Sequence, residues 1–167
     1  RGIEIFIAGL LAFYAPKLFP ENADFTFSLM VPIALLVIMR WGWCGIFYAV
    51  GDGLLLCLLN LGNENFNPAL FGVYIIGNAF IAVTLLLAKF IGKERIASKW
   101  YLSALFVSVG WLSVFLGRAC AGACFGLGFV TMMQSQLWDL LSLAVGLALI
   151  LLLRRLDGMF EDQKHYL

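Results

Sequence analysis

Charge is what this sequence has least of. Its 167 residues carry eleven Lys and Arg against ten Asp and Glu, a net charge of +1, and only 13% of the residues are charged. No stretch is basic enough to track a phosphate backbone, so nucleic acid is excluded as the expected partner. Histidine is almost absent, with His165 near the end of the chain as the single example. The four cysteines, Cys44, Cys57, Cys120 and Cys124, form no C-x-x-C pair, so a structural zinc site has neither the ligands nor the spacing it needs. They read as buried thiols. HExxH, GxSxG and Walker A motifs are missing too. The chain is therefore expected to carry no catalytic residues, metal or cofactor, to be unable to use ATP itself, and not to be an enzyme.

What fills the space is apolar. Hydrophobic residues make up 63% of the chain and the mean hydropathy is +0.97. A soluble domain of this size cannot hide that much apolar surface, so the expected solvent is lipid. A transmembrane barrel would show alternating segments of about ten residues, and the long unbroken runs exclude it. Spans of about twenty residues with short connections leave room for six helices in one integral membrane domain, residues 1–167. The chain opens on Arg1 rather than Met, so it is expected to begin inside the encoded protein. The first apolar run lacks a small-x-small cleavage site and is no obvious signal peptide.

Residues 40–60, RWGWCGIFYAVGDGLLLCLLN, organise the rest. This run is long enough to cross a bilayer core of about 30 Å, yet Asp52 sits in its middle between Gly51 and Gly53. A carboxylate at that depth costs at least a few kcal/mol unless it finds a partner, a cavity or a proton, so Asp52 is expected to be a buried charge pointing into the protein. It either pins helix packing or takes part in ligand binding or proton movement. The two glycines leave space for a neighbouring helix. Arg40, Trp41 and Trp43 mark the interfacial end.

The other spans follow in order. Residues 2–19 carry Ala8 and Ala12, small residues four apart on which another helix can pack, and Pro16 and Pro20 stop the run. Residues 25–39 contain Pro32, which can kink them. Residues 69–90, 100–118 and 137–153 complete the set. A turn-rich segment around Asn63, Asn65 and Pro68 lies after the third span, and charged Lys89–Lys99 after the fourth. Residues 119–136 turn rich in Gly and Ala and then polar. They read as a helix extension plus a re-entrant or tightly packed loop, with Gln134 and Gln136 in loop geometry. Placing the N-terminus inside puts nine of the eleven cations on the cytoplasmic side and only Lys17 and Arg118 outside. Both termini are thus expected in the cytoplasm.

In that topology the outer half collects polar and aromatic groups that can converge on one ligand site: Asn63, Asn65, Tyr74, Asn78, Trp111, Arg118, Gln134, Trp138 and Asp139. Trp111 and Trp138 offer flat faces for a planar ring, and Arg118 offers a partner for a carboxylate or phosphate. The plainer alternative is an aromatic belt, with Arg118 and Asp139 neutralising each other.

Six short spans with both ends inside, Ala8-x-x-x-Ala12 in the first and Gly51-Asp52-Gly53 in the third resemble the substrate-binding S components of energy-coupling factor transporters. The resemblance implies a multi-pass protein of a prokaryotic plasma membrane that captures a water-soluble vitamin or related micronutrient from the outer face. Ala8 and Ala12 would then pack on the transmembrane T component, and ATP would be used only by partner ATPase subunits. The N-terminal histidine of the metal-binding branch is absent. The chain is also similar to the rod-shape protein MreD, a structural membrane protein that scaffolds cell-wall machinery and binds no small molecule.

Overall fold

The structure is a computed structural model, and it describes residues 28–61, 67–137 and 139–155. Ala8, Ala12, Asn63, Asn65 and Trp138 lie outside the described residues, as does the chain beyond Arg155.

Every element among the described residues is helical. The first, α1 (Met30–Trp41), has ten of its twelve residues buried. Its sequence, MVPIALLVIMRW, is apolar on all sides, and a helix of that kind belongs in a protein interior. Its length of about 18 Å falls short of a bilayer core. Pro32 does not kink it. The residue sits in the first turn, where a backbone N–H has no intrahelical acceptor to lose. Just upstream, the Ser28 hydroxyl accepts from the Met30 N–H over 3.2 Å.

Residues 40–60 are not one helix. Gly42 takes a φ of +63° and turns the chain, and α2 (Cys44–Asn60) starts beyond it. The two interfacial tryptophans part company at this turn. Trp41 is 8% exposed inside the core, with the Arg40 guanidinium 5.1 Å from its ring centre, whereas Trp43 is 66% exposed. The buried face of α2 holds Tyr48 and a stripe of Gly45, Ala49, Gly53 and Cys57, one small residue every fourth position. Such a stripe lets helices approach closely: a Cβ at Gly45 would stand 2.7 Å from the Ala34 carbonyl oxygen of α1. The opposite face, with Phe47, Leu54, Leu55 and Leu58, is exposed.

Next come α3 (Ala69–Ala79), a 3-10 turn (Phe80–Ala82) and α4 (Val83–Ile91). Together they make one apolar run of 23 residues, Ala69–Ile91, as the sequence predicts for the fourth span. The short charged helix α5 (Lys93–Ser98) is anchored by buried Ile96, whose carbonyl accepts from the Ser103 hydroxyl over 2.6 Å. The long helix α6 (Trp100–Cys124) is the centre of the bundle and touches α1, α3, α4 and α5. It extends through the Gly/Ala-rich segment to Cys124. Gly126 and Gly128, at φ +77° and +79°, then reverse the chain into α7 (Phe129–Leu137), with the Leu127 N–H closing back on the Gly122 carbonyl over 2.8 Å. Gln134 and Gln136 are therefore helical, not looped.

The last helix, α8 (Leu140–Leu153), leaves α7 at a 53° bend. It packs on α6 and α1, and its end is tied by Arg154, whose Nη2 donates to the Ser98 carbonyl over 2.9 Å. One end of the bundle thus gathers α5 and the Arg154–Arg155 pair.

Among the described residues, two helices are long and apolar enough to cross a membrane, Ala69–Ile91 and Trp100–Cys124, and the bent pair makes a third if it counts as one span. Their flanks expose Leu86, Phe90, Leu112, Leu116 and Leu152, apolar surface that suits lipid contact.

Candidate functional site

The polar groups inside this apolar bundle converge on Arg118. Two glycines explain how α6 brings it there. Gly117 and Gly77 face each other where α6 crosses α3. A Cβ on Gly77 would stand 2.7 Å from the Arg118 Cα, and one on Gly117 would stand 2.8 Å from the Gly77 carbonyl oxygen. The helices meet backbone to backbone, so the Arg118 side chain starts against α3 rather than at the bundle surface.

Two side chains of α3, one helical turn apart, then hold the guanidinium. The Arg118 Nε donates to Asn78 Oδ1 over 2.8 Å, and the guanidinium carbon lies 4.9 Å from the centre of the Tyr74 ring. Asn78 is fully buried, and its Nδ2 donates onward to the Ala49 carbonyl of α2 over 2.8 Å. That contact depends on Gly53, whose added Cβ would stand 2.6 Å from the same Nδ2. Asn78 therefore joins α2, α3 and α6 at one point. Gly51, the other glycine beside Asp52, has nothing within 4 Å of the place a Cβ would take. Only one of the two glycines serves a close approach.

Two carboxyls share the field of Arg118. Asp52 is half-buried on α2, and Arg118 is the cation acting on it. Asp139 stands at the bend between α7 and α8 and also feels Arg118. The Ser142 hydroxyl donates to the Asp139 carboxyl, and the Trp111 indole acts on the same carboxyl. Ser142, 3% exposed, also accepts from the Ser28 N–H over 2.8 Å, which binds the start of α8 to the entry of α1.

Of the residues expected in a ligand site, Tyr74, Asn78, Trp111, Arg118 and Asp139 come together, and Asp52 joins them. Gln134 does not: it is exposed on α7. One face of Trp111 is already covered by Phe115, stacked at 5.1 Å and 23°. Sequence reasoning missed Ser142, Ser28 and the Ala49 carbonyl. The D-x-x-S spacing of Asp139 and Ser142 was a usable signal for the first, because three residues apart across a helix start is within side-chain reach. The backbone carbonyl had no signal at all.

The centre combines one fixed cation, two carboxyls, a carboxamide and aromatic rings in apolar surroundings. It can recognise polar or charged groups. No cluster of His, Cys, Asp and Glu able to hold a metal occurs among the described residues. No protein-family model, no curated protein and no solved structure matches this chain, so the chemistry of the centre is argued from its own residues.

Proposed function

We propose that this chain is a solute-binding membrane subunit of a multi-subunit importer, of the energy-coupling factor S-component type that its sequence resembles. It would capture a small vitamin-like compound from the outer face of a prokaryotic plasma membrane, with six spans and both termini cytoplasmic. A T component and ATPase subunits would supply the energy. The observation that carries this reading is the Arg118 centre itself. Ionisable groups within apolar helices are expensive and by default mark a binding or transport site. Here they are contributed by α2, α6 and the α7–α8 bend, with α3 between them. The expected coupling surface, Ala8 and Ala12, lies outside the described residues.

The test is mass spectrometry of small molecules retained by the purified protein. A compound held by the native chain and lost in Arg118→Gln, with the helical content of both proteins equal, is the expected result. An empty native protein would count against solute binding.

A scaffold of the MreD type is the second reading, and one observation favours it. Much of the bonding capacity of the centre is spent internally: Arg118 on Asn78 and Tyr74, Asp139 on Trp111 and Ser142. A scaffold would retain no small molecule, and its Arg118→Gln variant would lose stability alone.

A further inference from the structure

We propose that the end of the bundle where α5 meets α8 binds the phosphate of an anionic membrane lipid, through Arg95, Lys99, Arg154 and Arg155. The sequence carries these cations in two separate stretches, residues 93–99 and 154–155. The fold joins the stretches at one hydrogen bond, from Arg154 Nη2 to the Ser98 carbonyl over 2.9 Å. That carbonyl belongs to the peptide bond leading into Lys99, so the Arg154 guanidinium lies against the backbone of the next cation. Arg40 stands at the same level. Ser28 bonds to Ser142, 114 residues on, and a Cβ on Gly146 would stand 3.5 Å from Pro32, a pair with the same separation. The helices α1 and α8 therefore run parallel with a constant offset, which sets Arg40 beside Arg154 in height.

Among the described residues, Arg95, Lys99, Arg154 and Arg155 form no ion pair, although the acid Glu94 shares α5 with them. Arg95, Lys99 and Arg155 are exposed, open to an anion from outside the chain. The Lys99 N–H bonds back to the Arg95 carbonyl over 3.2 Å, which keeps these two one turn apart. Arg154 plays a different part. One of its nitrogens is spent on Ser98 and its Nη1 is buried with no acceptor, so it fastens α5 to α8 and supplies a fixed charge. Beyond Arg155 the sequence adds Asp157, Glu161 and Asp162 together with Lys164, all outside the described residues.

The height of this end is that of a lipid headgroup. Helix α5 links the two helices long and apolar enough to cross a membrane, leaving one at Ile91 and entering the other at Trp100. Such a link lies at the edge of the hydrocarbon core. Phe90, Trp100 and Tyr101 flank it, 85%, 64% and 50% exposed, as aromatics at a membrane interface are. The Lys99 ammonium lies 5.9 Å from the Tyr101 ring centre. Buried Ile96 and its hydrogen bond from Ser103 fix the backbone of α5 before any lipid arrives. Cations that only orient a chain need neither a common point nor a fixed backbone. A headgroup phosphate gains from both, and basic pockets between membrane helices are where such headgroups dock. About 27 Å of α6 separates this end from Arg118, so the inference does not depend on a solute at the Arg118 centre.

The experiment is native mass spectrometry of the full chain in detergent, titrated with phosphatidylglycerol, phosphatidylcholine or inorganic phosphate. Phosphatidylcholine carries a phosphate but no net charge, and inorganic phosphate has no acyl chains. Phosphatidylglycerol is expected to bind about tenfold more tightly than either. Lys99→Gln combined with Arg155→Gln should weaken its binding about tenfold or more, and leave phosphatidylcholine binding unchanged. If the double variant does not fold, Arg155→Gln alone decides, with an expected loss of about fivefold. Equal binding of the two lipids would overturn the proposal: the cations would then only orient the chain, or be neutralised by the acids after Arg155. A preference that survives in the variants would place the lipid elsewhere and overturn it as well. Inorganic phosphate bound as tightly as phosphatidylglycerol would make this a site for a free anion and overturn the lipid assignment.

Discussion

Asn78 and Arg118, forty residues apart, are joined by a 2.8 Å hydrogen bond from the arginine Nε to the asparagine Oδ1. Because the other end of the Asn78 carboxamide reaches the Ala49 carbonyl, one fully buried side chain positions the central cation and locks α2 to α3. Asn78→Leu would remove both bonds at nearly unchanged volume and leave a guanidinium N–H unmatched. A loss of about 1–3 kcal/mol is expected, the usual cost of an unsatisfied buried donor, read from unfolding in detergent. An unchanged unfolding midpoint would show that the bond does not contribute.

The two glycines beside Asp52 should answer the same substitution in opposite ways. Gly51→Ala meets open space and gains helix propensity, so it should be neutral or stabilising by up to about 1 kcal/mol. Gly53→Ala forces its methyl group onto Asn78 and should cost about 1–3 kcal/mol, as overpacking does. Equal effects at the two positions would mean that α2 presents a different face to α3.

At the crossing of α3 and α6, Gly117→Leu places a side chain against the Gly77 carbonyl and Phe80. The helices would have to separate and give up their dispersion contact. The expected readout is loss of folded protein after size-exclusion chromatography, with Leu116→Ala, on the exposed side of the same helix, as the tolerated control.

Trp111 and Asp139 should be energetically coupled through the indole N–H. Trp111→Phe preserves an aromatic ring against Phe115 while removing the donor. In a double-mutant cycle with Asp139→Asn the coupling should be about 0.5–3 kcal/mol, the range for contacting residues. Strict additivity would place the two groups out of contact.

Orientation is open to labelling. In a background with all four cysteines replaced, a cysteine at Ser135 should react with an impermeant reagent from outside, and one at Ser98 should not. The Ser98 site lies at the same end as Arg154, so the basic residues of α5 and the end of α8 share its side. Outside labelling at Ser98 would invert the topology.

Much of this architecture is written locally in the chain. Composition alone points to apolar helices, and the run Ala69–Ile91 carries its own length and hydropathy. Asp52 drew attention because a charge in an apolar run is costly wherever its partner lies. Local sequence also holds the Gly45, Ala49, Gly53, Cys57 stripe, a small-residue pattern that sequence reasoning sought in the first span and passed over here.

Other features belong to packing. Apolarity cannot tell a lipid-facing helix from an enclosed one, since lipid tails and a protein core are equally apolar. That is why α1 reads as a span from its apolarity alone, whereas the burial of ten of its twelve residues comes from packing. The break at Gly42 depends on the backbone adopting a positive φ between two apolar helices, which a continuous hydrophobic pattern does not reveal. The pairing of Arg118 with Asn78 rests on where two glycines let α3 and α6 touch, a long-range fact with no periodicity to betray it. Local side-chain chemistry determined that this protein is helical, apolar and charged at a few internal points. Which of those charges meet was decided only by how closely the helix backbones can approach.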